Sequence, residues 1–120
     1  MSVELNRENY ESEIVQSKGT VLVDFWGPQC KPCLALMPSI EQMEKDFAGR
    51  LKVGKVNATQ NRMLCARLRV MMLPTFILYR DGEERVRLTG EDLKAAEISG
   101  AVERVLQGAA GTQRLSEEPA

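Results

Sequence analysis

Two cysteines separated by two residues are the feature of this sequence with the clearest chemistry. Cys30 and Cys33 lie between a continuous apolar run and a long helical pattern. A two-residue spacing in the first turn of a helix lets two sulfur atoms approach bonding distance. The free N–H groups and partial positive charge of a helix N-terminus favour a thiolate, which is the nucleophile in disulfide exchange. The pattern therefore predicts a redox-active cysteine pair.

The two residues inside the motif fit the same interpretation, and two alternatives fit less well. Pro32 suits a first helical turn, where its missing N–H costs little, and Lys31 adds a positive charge beside Cys30. A zinc site within the chain would need four ligands, but the sequence has three cysteines and no histidine. A purely structural disulfide closing so short a loop would add little stability.

Composition limits the remaining function classes. The chain has 120 residues, which favours one domain that can bury a core without a disulfide or metal. Its net charge of -1 disfavours nucleic acid as a partner, and no apolar run has the roughly 18 residues of a membrane span. Residues 1–10 are polar and lack the apolar centre of a secretory signal. We expect a cytoplasmic protein, although a chain whose signal had been removed would look the same.

The elements that must position the cysteines alternate between strand and helix patterns. Their predicted ranges are helices over 6–17, 33–47, 61–69 and 91–106, and strands over 3–5, 21–26, 51–56, 76–79 and 83–88. Asp81-Gly82 predicts a tight hairpin between the last two strands. Helices separated by strands predict an α/β fold with a sheet covered on both faces. We expect one domain over 1–107 and a disordered tail over 108–120, which is small and polar.

Several motifs together resemble the thioredoxin family. They are Val23-Asp24-Phe25-Trp26, Cys30-Lys31-Pro32-Cys33, Pro38 in the following helix, Leu73-Pro74-Thr75, the hairpin glycine Gly82 and the strand-ending Gly90. The resemblance covers residues 3–106. It implies a thioredoxin fold, in which a central mixed sheet of four to five strands is flanked by helices on both faces. The last two strands would run antiparallel to the rest.

The resemblance also implies catalytic roles. Cys30 matches the exposed nucleophile, and Cys33 matches the buried resolving cysteine. Asp24 matches a buried acid that exchanges a proton with the resolving thiol through water, and Lys55 matches a lysine near that acid. An acid inside an apolar strand should have a raised pKa. Pro74 matches a cis-proline that faces the disulfide. The residues alone leave open an exposed Asp24, a solvated Lys55 and a trans Pro74.

Substrate contacts follow from the same resemblance, with departures from the family. The expected contact residues are Trp26, Gln29, Lys31, Pro32, Met72, Leu73 and Gly90. Gln29 stands where the family usually has tryptophan, Lys31 where it has glycine, and Thr59 where many members have an acid. These departures leave the identity of the partners open. Cys65 lies on the apolar side of a short helix, which favours a buried inert thiol over a regulatory one.

The sequence therefore predicts a protein-disulfide reductase of the thioredoxin type. It would need no metal or organic cofactor, act as a monomer on disulfide-containing proteins, and receive electrons from a thioredoxin reductase or a similar donor. A disulfide oxidase or isomerase on the same fold is disfavoured, because those branches often carry histidine where Pro32 stands. A non-enzymatic binding module is disfavoured by the presence of both cysteines with Asp24 and Pro74.

Overall fold

A five-stranded mixed sheet forms the centre of the computed structural model, which describes residues 2–108. The strands are β1 (Val3–Leu5), β2 (Thr20–Trp26), β3 (Leu51–Asn57), β4 (Thr75–Arg80) and β5 (Glu83–Thr89). Their order across the sheet is β1-β3-β2-β4-β5. β1, β3 and β2 are parallel, whereas β4 is antiparallel to β2 and β5 is antiparallel to β4. The predicted thioredoxin fold is confirmed, but the expectation that both of the last two strands run against the rest is wrong. Only β4 does so, because β5 turns back through a tight hairpin and has the same direction as β2.

β2 is the central strand because its side chains are apolar on both faces. Its first six residues are buried, as expected for a strand covered by helices on each side. Side chains alternate across the sheet, so Val23 and Phe25 lie on one face, while Leu22 and Asp24 lie on the other. Asp24 therefore occupies a layer that is otherwise apolar.

Helices α1 (Lys31–Asp46) and α3 (Ala95–Leu106) cover the face of the sheet that carries Asp24. The core on this face consists of Leu22, Leu36, Ile40, Met43, Phe47, Val53, Phe76, Leu78, Val86, Ile98, Ala101 and Val102. An N-terminal helical segment and α2 (Arg62–Arg67) cover the opposite face. The core there consists of Leu5, Tyr10, Ile14, Val21, Val23, Phe25, Val56, Leu64, Cys65, Ile77 and Tyr79.

The predicted N-terminal helix over 6–17 is wrong in length and type. A short π-helix spans Glu11–Val15, and the Gln16 N–H donates to the Glu11 carbonyl at 3.0 Å. The Asn6 side chain accepts from the N–H groups of Glu8 and Asn9, at 2.9 and 3.0 Å. These are N-cap bonds, and the Tyr10 N–H donates to the Asn6 carbonyl at 2.9 Å, so Asn6 caps the turn that leads into this segment as predicted. The departure from the prediction is the π-helical bonding over Glu11–Val15 and the early end of the segment.

The last helix also begins later than predicted, at Ala95 instead of residue 91. The Leu93 N–H donates to the Gly90 carbonyl at 3.2 Å, which forms a turn directly after β5. Lys94 is extended, and its N–H donates to the Glu97 carboxylate at 2.8 Å. That side-chain bond marks the start of the helix, as in the second half of a capping box.

The predicted hairpin is confirmed. Asp81 and Gly82 have φ values of 52° and 84°, the left-handed pair that a two-residue turn between right-twisted strands requires. The Asp81 carboxylate also accepts from the Gly19 N–H at 2.8 Å. The domain limits of 1–107 remain a prediction, and the predicted tail lies outside the described residues from 109 onward. No helix within residues 2–108 is long and apolar enough to cross a membrane.

Candidate active site

Cys30 and Cys33 form a disulfide at the start of α1, with Cα atoms 5.2 Å apart. Cys30 caps the helix in an extended conformation, and Pro32 lies in the first turn. The Cys33 N–H donates to the Cys30 Sγ at 3.2 Å. After reduction, the same N–H and the positive end of the helix are in place to stabilise a thiolate on Cys30.

The two sulfur-bearing residues differ in exposure. Cys33 is only 2% exposed, on the inner face of α1 above Leu36 and Ile40. Cys30 is half-buried at the helix end. A dissolved substrate can therefore reach Cys30, whereas Cys33 is accessible mainly from within the protein.

Asp24 is a buried carboxyl group beneath this helix start. Its side chain is 1% exposed, and its Oδ1 has no hydrogen-bond partner within residues 2–108. Burial raises the pKa of Asp24 to about 7, and the charge of Lys55 lowers it by a smaller amount. Lys55 is half-buried opposite Asp24 in the β2–β3 register, on the same face of the sheet.

The topology brings Asp24 and Cys33 to the same end of one layer. β2 and β3 are parallel, so the connecting helix α1 must begin at the carboxyl end of β2 and run back. Asp24 is two residues from that end of β2, on the face that α1 covers. The buried carboxyl and the buried sulfur therefore share the space between sheet and helix.

Pro74 lies at the start of β4, beside the carboxyl end of β2, and the Leu73–Pro74 peptide bond is cis. The Pro74 carbonyl accepts from the Gly90 N–H at 3.1 Å. A Cβ placed on Gly27 would lie 3.2 Å from Cδ1 of Leu73, so this loop packs against the backbone leading to Cys30. The structure thus joins the loop that leads to Cys30, the loop before Pro74 and the end of β5 through direct contacts.

Comparison with known proteins decides the family. The thioredoxin family model matches residues 1–104. The chain belongs to the thioredoxin family. It is a thiol-disulfide oxidoreductase that reduces protein disulfides.

Several thioredoxins are similar along most of their length. The thioredoxin of Acetoanaerobium sticklandii is 40% identical over 103 residues, which cover 86% of this chain and 98% of that protein. The thioredoxin of Peptoclostridium acidaminophilum is 30% identical over 100 residues, covering 83% of this chain and 91% of that protein. The thioredoxin of Haemophilus influenzae is 34% identical over 79 residues, which cover 66% of this chain and 74% of that protein.

The residues by which the chain departs from the family pattern, Gln29, Lys31 and Thr59, lie on its surface. Gln29 and Lys31 are exposed on either side of Cys30, and Trp26 is half-buried at the end of β2. Met72 is 54% exposed. Thr59 is also exposed, and its N–H and hydroxyl donate to the Asn57 side chain at 3.1 and 2.7 Å. A substrate bound at the disulfide would therefore meet Gln29 and Lys31 directly beside Cys30.

Two hydroxyl groups that support the site, those of Thr75 and Thr89, were not predicted from the sequence. The Thr75 hydroxyl lies 2.7 Å from the Met72 carbonyl and 2.7 Å from the Thr89 hydroxyl. The Thr89 hydroxyl also donates to the Pro74 carbonyl at 3.3 Å. Thr75 and Thr89 are opposite each other in the β4–β5 register, so only strand pairing could have revealed their contact.

Arg87 is a third supporting residue that the sequence did not indicate. Its guanidinium donates to the Leu68 and Arg69 carbonyls at 3.0 and 3.1 Å, directly after α2. It also pairs with Glu84 at 2.9 Å. Arg87 thereby holds the chain between α2 and the loop that precedes Pro74, although it is far from both in sequence.

Cys65 is 7% exposed on α2. Burial raises the pKa of its thiol, which favours the neutral form, as expected for an unreactive cysteine. Within the described part of the chain, no group of three or more His, Cys, Asp or Glu side chains could hold a metal ion.

Proposed function

We propose that Cys30 is the nucleophile and Cys33 the resolving cysteine in the reduction of protein disulfides. The contrast between the half-buried Cys30 and the 2% exposed Cys33 carries this assignment. The Cys30 thiolate attacks a substrate disulfide, forms a mixed disulfide and releases one substrate thiolate. The Cys33 thiolate then attacks the Cys30 sulfur and releases the second. Two electrons pass to the substrate, and Cys30 and Cys33 become a disulfide.

Asp24 is proposed to take the proton of the Cys33 thiol before resolution, through a water molecule. Its pKa of about 7 lets it both accept and release a proton near neutral pH. Its Oδ1 has no hydrogen-bond partner within residues 2–108, so it can accept a hydrogen bond from a water molecule. Lys55 is proposed to stabilise the carboxylate that Asp24 forms when the proton leaves again.

Substrate chains are proposed to lie across the surface around Cys30. The contact residues are Trp26, Gln29, Lys31, Pro32, Met72, Leu73 and Gly90, with Pro74 facing the disulfide. The support is positional: the loop before Cys30 packs against Leu73, and Gly90 is hydrogen-bonded to Pro74.

We further propose that a thioredoxin reductase or a related protein supplies the electrons, since the similar proteins are thioredoxins. The protein would act as a cytoplasmic monomer that requires no metal or organic cofactor. Its partners would be disulfide-containing proteins, and nucleic acid and membrane surfaces would not be among them.

Brief alkylation of the reduced protein tests the nucleophile assignment. We expect iodoacetamide at neutral pH to label Cys30 at least about tenfold faster than Cys33 or Cys65, because only Cys30 is both accessible and at a helix start. Mass mapping of the labelled peptides gives the three rates. Faster labelling of Cys33 would reverse the roles proposed for the pair.

Replacing Lys31 by glycine tests how the unusual motif tunes the reaction. Lys31 places a positive charge next to Cys30, so Lys31→Gly should reduce the thiolate fraction and slow alkylation near neutral pH. We expect the reduction potential of the wild-type disulfide to lie between about -270 and about -200 mV. The potential of Lys31→Gly should be about 10 mV more negative. Redox titration against glutathione measures both.

Gln29→Trp is the matched control for Lys31→Gly. It changes a neighbouring exposed residue and adds apolar surface without adding charge. The reduction potential of Gln29→Trp should therefore equal that of the wild type. An unchanged or less negative potential in Lys31→Gly would show that charge at this position does not tune the disulfide.

A further inference from the structure

An apolar groove runs from the active site along α2. One wall is formed by the α2 residues Arg62, Cys65 and Ala66, and the other by residues 70–73. Its volume is about 360 Å³. We call it the α2 groove. Because Leu73 both lines the groove and packs against Gly27, the groove opens directly beside the loop that leads to Cys30.

Two methionines form the outer rim of the α2 groove. Met71 is 86% exposed and Met72 54% exposed, although both are large apolar side chains. Exposed methionines next to an apolar groove provide a flexible surface that can adapt to different apolar side chains. The groove therefore has the character of a binding surface for a peptide segment.

The chain around the α2 groove is strongly basic. Residues 58–73 contain the three arginines Arg62, Arg67 and Arg69 and no acidic residue, whereas the whole chain has a net charge of -1. All three are exposed. Within residues 2–108, no carboxylate forms an ion pair with any of them. Their charge is directed toward solvent and is available to a partner.

The opposite side of the site carries the opposite charge. β4 lies between β2 and β5, so the turn that follows β5 lies on the opposite side of Pro74 from the loop that follows β2, against which Leu73 packs. The Gly90 N–H donates to the Pro74 carbonyl at 3.1 Å. Glu91 and Asp92 follow Gly90 in that turn, and both are exposed. A substrate chain that crosses the site would therefore meet arginines at one end and carboxylates at the other.

We propose that Arg62, Arg67 and Arg69, around the α2 groove, select substrates that carry acidic residues next to the reactive cysteine. The proposal rests on the reductase function described above and adds a substrate class to it. Selection is one-sided, because acidic residues on the other side of the cysteine would meet Glu91 and Asp92. Arg62 is the main specificity residue, since it alone of the three arginines lines the groove.

Disulfide-linked homodimers of short synthetic peptides provide the test. Each peptide has one cysteine adjoined by Glu-Leu-Glu, Gln-Leu-Gln or Lys-Leu-Lys, on its amino side in one series and on its carboxyl side in the other. The second-order rate constant of the pre-reduced protein with each peptide is measured by mass spectrometry. We expect a roughly fivefold preference for the acidic over the basic peptide at low salt, in one series only.

Arg62→Glu should abolish or invert this preference. Arg104→Glu is the matched control, because Arg104 is an exposed arginine on α3, away from the groove, and it should keep the wild-type ratio. The wild-type protein gives an independent measure if Arg62→Glu folds poorly. In about 1 M salt, where the Debye length is only about 3 Å, the wild-type ratio of the rate constants for the acidic and the basic peptide should approach one.

Equal rates for acidic and basic peptides, or the same preference in both series, would overturn the proposal while leaving the reductase function intact. A dimer in solution that Met71→Ser dissociates would also overturn it, by assigning the groove to a second copy of the chain. Failure of the proposed function is distinguishable from both, because then the neutral peptide would not be reduced either.

Discussion

Replacement of Cys33 by serine should convert this protein from a catalyst into a trap for its substrates. Cys30 in the variant can still attack a disulfide, because its position at the helix start is unchanged. The mixed disulfide then lacks its internal partner, which in the native protein is held in the same helical turn. Intramolecular attack of this kind has a large advantage over attack by a dissolved thiol. We expect the mixed disulfide to live on the order of a hundredfold longer or more.

Trapping is measured by incubating the tagged variant with oxidised substrate proteins and separating the adducts without reductant. The double variant Cys30→Ser with Cys33→Ser gives the background, including any adduct formed through Cys65. Cys30→Ser alone should trap nothing, because Cys33 is 2% exposed. Adducts that form on Cys33 in Cys30→Ser, at the rate seen on Cys30 in Cys33→Ser, would contradict the proposed order of attack.

Asp24→Asn should make the oxidised protein more stable at alkaline pH relative to the wild type. The pKa of Asp24 rises from 3.8 in the unfolded chain to about 7 in the folded protein. The folded state therefore binds the proton more tightly, and the free energy of unfolding falls as pH rises between these values. A difference of about three in pKa corresponds to about 4 kcal/mol of unfolding free energy, which the wild type should lose as pH rises. Asp24→Asn has no carboxyl group at this position, so it should not show that loss.

Urea unfolding of the oxidised wild type and variant at about pH 4 and about pH 8 measures this difference. The oxidised form is used because its two disulfide-bonded cysteines do not titrate. Asp46→Asn makes the same chemical change at an exposed position at the end of α1, and its pH profile should follow the wild type. Parallel profiles for the wild type and Asp24→Asn would show that Asp24 is not protonated in the folded state near neutral pH.

Much of the fold could be predicted because strong local patterns and global packing agree. The apolar run of β2 and the helical repeat after Cys33 are long enough to define their elements. Asp81-Gly82 has a turn chemistry that few other structures tolerate. The start of the last helix was predicted too early, because the bond from the Lys94 N–H to the Glu97 side chain decides that boundary. The π-helical bonding of the N-terminal segment was not predicted either.

The candidate site was partly predictable for a different reason. Cys30 and Cys33 carry their chemistry in their spacing, and Asp24 is visible as an acid within an apolar strand. The contacts that hold the neighbouring loops join residues far apart in sequence, such as Arg87 with the Leu68 carbonyl. No local pattern encodes these contacts, because they depend on how β5 lies against the end of α2. The α2 groove is likewise a product of tertiary packing.

The central position of β2 has a consequence for how the chain matures during synthesis. β2 pairs with β3 on one side and with β4 on the other, and both partners follow it in the sequence. A nascent chain that has emerged only as far as α2 already contains Cys30 and Cys33, but lacks the strand that closes one side of β2. Pairings between distant segments form late in folding because the loop entropy must be overcome first. The two cysteines of this reductase are thus synthesised before the strand that completes the sheet beside β2.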